Sequence, residues 1–200
     1  KYLEKIMKPL TNIKSMYFIG IGGIGMSALA RYFNTQGVLV SGYDKTPTAL
    51  TDSLVEEGIS IHFEDDLNQI DKDATVIVYT PAIPAEHKEL NYYKDNGYLV
   101  VKRSDVLQWV TENAFTIGIA GTHGKTTTTS MTAHILRHTG YGCNAFLGGI
   151  ASNYDTNFWS HEKNVVVVEA DEYDRSFLKL SPNIAVITAV DPDHLDIYGT

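Results

Sequence analysis

Residues 116–129, TIGIAGTHGKTTTT, constrain this chain more than any other stretch: an apolar run enters a glycine-bearing loop that closes on Gly-Lys-Thr and opens a polar helix. Strand, glycine loop and helix in that order predict an α/β fold with the loop at the carboxyl edge of a sheet. Gly121 and Gly124 let consecutive N–H groups turn inward toward phosphate oxygens, and the positive end of the helix beginning near Lys125 adds to that field. The expected ligand is a nucleoside triphosphate with Mg²⁺, Lys125 reaching the outer phosphates and the Thr126 hydroxyl ligating the metal. Gly121, Thr122, His123, Gly124, Lys125, Thr126 and Thr127 make up the predicted ATP-binding set. His123 either meets the ligand or turns its ring to solvent. The spacing departs from G-x-x-x-x-G-K-[ST], whose first glycine would fall at Ile119.

A second glycine loop follows a short apolar strand near the start, MYFIGIGGIGMSALA over residues 16–30. Gly20, Gly22 and Gly25 stand in the G-x-G-x-x-G spacing, which permits a tight turn, close approach to a diphosphate, and packing of helix on strand. Asp44 follows at the end of the next strand, where an acidic residue meets a ribose hydroxyl. Taken alone this pattern points to NAD.

Apolar runs and helical patterns alternate throughout. Strands are expected at 16–20, 38–43, 59–63, 74–80 and 98–102, and helices at 25–36, 48–57, 85–95 and 104–111, as in a parallel sheet covered by helices. A new cycle begins after Thr111. It comprises a strand at 115–120, a helix at 125–138, and strands near 143–147, 165–168 and 184–190. The predicted organisation is a Rossmann-like domain over 1–111 and a phosphate-loop α/β domain over 112–200. The acidic stretch 64–73 reads as a solvated loop or short helix and not as a metal site.

The valine strand at 165–168 ends in Glu169, Asp171, Glu172 and Asp174. A metal–nucleotide complex needs an acid there, opposite the phosphate loop, and Glu169 lies nearest the strand end. The next strand ends in DPDHLD, which makes His194 a candidate ligand as much as a structural or solvated residue. The histidines at 62, 87, 134, 138 and 161 are expected on the surface or at caps. No Ser-His-Asp or Cys-His order points to covalent catalysis, and no zinc spacing surrounds the single cysteine.

Composition narrows the partners. A net charge of −8 over 200 residues offers no basic field for nucleic acid or a membrane surface, so an anionic ligand must be gripped locally. No apolar run approaches the ~18 residues of a membrane span. One cysteine and an N-terminus without an apolar export core predict a cytoplasmic protein. The absence of an initial methionine leads us to expect either a trimmed start or foreign residues there.

Five segments carry a resemblance: GIGGIGMSALA (20–30), TPAIP (80–84), AGTHGKTTTT (120–129), EADEYDRSF (169–177) and DPDHLDIYGT (191–200). Together, and in this order, they resemble the ATP-dependent Mur ligases of bacterial cell-wall synthesis. His123, where most sibling ligases have Asn, points to the branch that adds L-alanine to UDP-N-acetylmuramate, with murein-peptide ligase or another Mur ligase as the alternative. The resemblance implies that Gly20, Gly22, Gly23, Gly25 and Asp44 hold a UDP-sugar in place of NAD, and that the second domain binds MgATP. It further implies that the substrate carboxylate attacks the γ-phosphate and that an amine then attacks the acyl phosphate. Lys125 would stabilise the transferring phosphoryl group, Thr126 and Glu169 would hold one Mg²⁺, and His194 a second metal or the substrate carboxylate. It also implies a third, C-terminal domain, so these 200 residues are expected to be a fragment, inactive alone and of unknown oligomeric state. Two rival readings are an NAD-dependent oxidoreductase and a phosphate-loop switch protein. The second is weakened by the lack of an Asn-Lys-x-Asp segment for guanine.

Overall fold

The computed structural model describes residues 13–171, 176–192 and 199. The chain forms two compact units, divided between Trp109 and Val110.

The first unit is built on β1 (Ser15–Ile19), β2 (Leu39–Tyr43), β3 (Ser60–His62), β4 (Val76–Tyr79) and β5 (Val100–Lys102). They form one parallel sheet in the order β3-β2-β1-β4-β5. Every residue of β1 is buried, as expected of the central strand of a sheet covered on both faces. The chain turns from one side of the sheet to the other between β1 and β4, which opens a crevice at their carboxyl ends. Helix α1 (Ile24–Thr35) follows β1, α2 (Ala49–Glu56) follows β2, α3 (Lys88–Asp95) follows β4 and α4 (Arg103–Glu112) follows β5.

Side-chain capping fixes where α2 and α3 begin. Thr48 and Thr51 form a reciprocal capping box at the head of α2. Arg31, buried on α1, meets Glu57 at 2.7 Å and Ser53 at 2.8 Å, which ties α1 to the far end of α2. The acidic stretch 64–73 is only partly solvated. Asp65 accepts from the backbone N–H groups of Lys88 and Glu89 and so caps α3 from a distance.

The second unit holds β6 (Phe115–Ala120), α5 (Lys125–His138), β7 (Asn144–Ala151), β8 (Thr156–Trp159), β9 (Val165–Glu169) and β10 (Ile184–Ile187). The strand order is β10-β6-β9-β7-β8, parallel except for the β7–β8 pair. This sheet is mixed: β8 and the continuation of β7 to Ala151 form a hairpin that the sequence pattern does not announce. The hairpin turn carries Asp155 at φ 51°, so a short polar side chain occupies the left-handed position where glycine is the usual signal. β10 ends at Ile187, short of the expected 190. The core of this unit includes Ala133, Leu147, Trp159, Val167 and the buried thiol of Cys143. Among the described residues no helix is long and apolar enough to cross a membrane.

Candidate functional site

The phosphate loop occupies the end of β6, with β9 on one side and β10 on the other. Gly121 has φ +124° and lies so close to the segment after β10 that a Cβ would stand 2.3 Å from the Thr188 hydroxyl. Gly124 caps α5 at φ +79°, with open space where a side chain would be. Glycine takes that backbone without strain, and its lack of a capping side chain leaves the first-turn N–H groups of α5 facing a potential anion.

The neighbouring strand shapes the loop. Thr122 N–H donates to the Ala189 carbonyl at 3.0 Å, and the Thr122 hydroxyl accepts from Asp191 N–H at 3.1 Å. The His123 ring, 71% exposed, lies 3.7 Å from the Asp191 carboxylate. Lys125 Nζ donates to the Gly121 carbonyl at 2.7 Å, folded back over the loop it belongs to.

Thr126 and Glu169 are brought together across the sheet edge. The Thr126 hydroxyl donates to Glu169 Oε2 at 3.1 Å, and Gly148 N–H donates to Glu169 Oε1 at 2.7 Å. Burial pushes the Glu169 carboxyl above the usual carboxylate range, against the pull of the Gly148 N–H, the Thr126 hydroxyl and the Lys125 charge. A hydroxyl and a carboxylate side by side at a helix N-terminus form a hard oxygen donor pair, so these residues fit a Mg²⁺–nucleotide complex. A cavity of about 450 Å³ opens beside Thr126 and Thr127, walled by Met131, Ile135, Ile150 and Trp159. His194 and Asp174 lie outside the described residues.

In the first unit, Gly20 takes φ +86° and its N–H donates to the Tyr43 carbonyl at 2.7 Å. Gly22 N–H donates to Asp44 Oδ2 at 2.7 Å, while Asp44 Oδ1 accepts from Thr46 N–H at 3.2 Å. Asp44 is therefore a brace for the loop as well as a candidate ribose ligand. Gly23 caps α1 without a side chain, as Gly124 does for α5. Gly25 faces Arg103, whose Nη1 would lie 2.5 Å from a Cβ built on Gly25. Sequence reasoning missed Arg103. It stands 78 positions from Gly25, and only the β5–α4 connection brings its charge to the glycine loop.

A third cluster is structural. Asp65, His87 and Glu89 hold ligand-type atoms within 4.8 Å of one another. Each already has a protein donor: Lys88 and Glu89 N–H on Asp65, Leu90 N–H on His87, and the Tyr17 hydroxyl and Asp66 N–H on Glu89. His87 is thus a cap, as expected. His62 is not a surface residue: its Nε2 lies 2.5 Å from the buried Tyr17 hydroxyl.

Comparison with known proteins places both loops in one context. The model of the Mur ligase family catalytic domain matches residues 15–114, and that of the Mur ligase middle domain matches residues 119–200. The chain belongs to the Mur ligase family. Relatives of this Mur ligase chain include the UDP-N-acetylmuramate–L-alanine ligase of Porphyromonas gingivalis, 56% identical over 94% of the chain and 42% of the relative. That of Cytophaga hutchinsonii is 57% identical over 95% of the chain and 43% of the relative. The chain thus spans less than half the length of these curated relatives. Among solved structures, the UDP-N-acetylmuramate-alanine ligase of Thermotoga maritima superposes with TM-score 0.83 at 33% identity, covering 93% of the chain and 44% of that structure. The UDP-N-acetylmuramate:L-alanyl-γ-D-glutamyl-meso-diaminopimelate ligase of Neisseria gives TM-score 0.84 at 28% identity, with 94% and 64% covered.

Proposed function

We propose that the protein to which these residues belong is a cytoplasmic ATP-dependent ligase that joins L-alanine to the lactyl carboxylate of UDP-N-acetylmuramate. The observation that carries this reading is the Thr126–Glu169 pair, 3.1 Å apart beside Lys125 at the head of α5. It lies in a Mur ligase middle domain whose relatives named as alanine ligases are more than half identical. Residues 1–111 would serve as the UDP-sugar domain and residues 112–200 as part of the MgATP domain.

In this reading Gly20, Gly22, Gly23 and Gly25 seat the UDP pyrophosphate, Arg103 adds a cation beside them, and Asp44 holds the loop and the ribose. Gly121, Thr122, His123, Gly124 and Thr127 line the ATP phosphates. Lys125 leaves the Gly121 carbonyl for the outer phosphate, where it stabilises the charge that shifts during transfer. Thr126 and Glu169 would hold Mg²⁺, which would supply charge neutralisation of the phosphates against an approaching carboxylate. His194 would hold a second metal or that carboxylate.

The carboxylate oxygen forms a bond to the γ-phosphorus as the bond to ADP breaks. The alanine amine then attacks the acyl carbon, inorganic phosphate leaves, and the nitrogen loses a proton. No protein nucleophile is required, because the enzyme contributes alignment and charge neutralisation.

The likeness to the Neisseria enzyme favours one second reading, a ligase that takes a peptide as its amine. Phosphate release by the full-length protein with UDP-N-acetylmuramate and MgATP separates them. L-alanine should support turnover well above glycine, L-serine or a tripeptide. Preference for the tripeptide would overturn the alanine assignment, and no amine-dependent release would overturn the ligase reading.

A further inference from the structure

The acid at the end of β9 owes its position to the strand beside it. β7 runs parallel to β9, pairing Phe146 with Val168, and continues past the point where β9 ends. That overhang carries Gly148 alongside the Glu169 side chain, and the Gly148 N–H fixes Oε1 at 2.7 Å. Oε2 is thereby left to the Thr126 hydroxyl at 3.1 Å.

A Cβ on Gly148 would stand 2.4 Å from Glu169 Oε2, 2.7 Å from Cδ and 2.8 Å from Oε1. Such distances lie inside van der Waals contact, so one of the two groups must move. Gly148 has none of the positive φ that otherwise calls for glycine. Gly149, next along the strand, would meet only the Thr126 methyl, at 3.8 Å. The demand for a missing side chain is thus felt at Gly148 and not at Gly149, and the three atoms nearest the added Cβ all belong to the Glu169 carboxylate.

We infer that Gly148 is a positioning residue for the divalent cation site: its bare Cα and its N–H seat the Glu169 carboxylate against Thr126. Any side chain at 148 displaces the carboxylate while leaving the strand intact, because the group it strikes is the mobile end of a side chain. This rests on the MgATP reading above.

The test uses the full-length protein and four forms: wild type, Gly148→Ala, Glu169→Asp, and the double variant. Mn²⁺ binding in the presence of a non-hydrolysable ATP analogue is followed by the loss of free-ion EPR signal beyond that caused by the analogue alone, with melting temperature recorded alongside. Gly148→Ala should weaken Mn²⁺ by about tenfold, as loss of a supporting contact behind a metal ligand commonly does, with melting unchanged. The shorter acid of Glu169→Asp withdraws from the added methyl group. The double variant should therefore bind Mn²⁺ no more weakly than Glu169→Asp alone. Losses that multiply in the double variant, or full affinity in Gly148→Ala, overturn the role of Gly148. A wild-type protein that binds no Mn²⁺ with the analogue overturns the MgATP reading itself, and this inference with it.

Discussion

Glu89 shows what a single residue can conceal. It is fully buried, accepts from the Tyr17 hydroxyl at 2.7 Å and from Asp66 N–H at 3.1 Å, and lies 3.6 Å from His62 Nε2. Burial pushes its carboxyl up to about 7. Because the folded protein holds this proton more tightly than the unfolded chain, the associated stability is present below the ordinary carboxylate range and is lost as pH rises toward 7. His62 and His87, whose pKa values burial lowers, act in the opposite sense, gaining stability as pH rises toward their unfolded value. Glu89→Gln isolates the first slope. Its melting deficit relative to wild type should shrink between pH 5 and pH 7.5, whereas a constant deficit would show that Glu89 does not titrate there. None of this was legible in the sequence, because Tyr17, His62 and Glu89 meet only through sheet register and the placement of α3. The turn at Gly124, by contrast, could be read directly, since the left-handed backbone that opens α5 is local.

Elements were legible where period and turn chemistry agreed. The first sheet follows its apolar runs to within a few residues, because each strand is flanked by a helix with its own start signal. The β7–β8 hairpin was hidden by Asp155, which makes its turn without glycine or proline. The β1–α1 loop was legible through its glycines, but the commitment of Gly22 N–H to Asp44 was not. That bond gives the loop a test at its own scale. A Cβ on Gly22 would stand 2.9 Å from both Asp44 Oδ2 and the Thr51 methyl, so Gly22→Ala shifts the loop against β2 and α2. Calorimetry should show affinity for UDP-N-acetylmuramate falling by roughly tenfold or more, the scale of a lost charge-assisted contact. Unchanged affinity would remove this loop from the UDP-sugar site.

At the scale of the 200 residues together, the proposed function sets a net charge of −8 beside two sites for polyanions. Long-range attraction cannot assist binding, and the grip must come from helix ends, glycine N–H groups and single cations such as Lys125 and Arg103. A ligand held in this way stabilises only the fold that presents those groups. UDP-N-acetylmuramate at a hundred times its dissociation constant should add about 2.7 kcal/mol to the stability of the unit that binds it, visible as a raised melting temperature, while NADH should add nothing. A larger shift with NADH would return the first glycine loop to a dinucleotide.

The one cysteine of these 200 residues has a practical consequence. Cys143 is packed behind α5, and burial pushes its thiol up to about 11. Alkylating reagents act on the thiolate, so at neutral pH this position is nearly silent. Within these residues a cysteine introduced at exposed His123 would be the reactive one, turning the proposed phosphate loop into a reporter of its own occupancy.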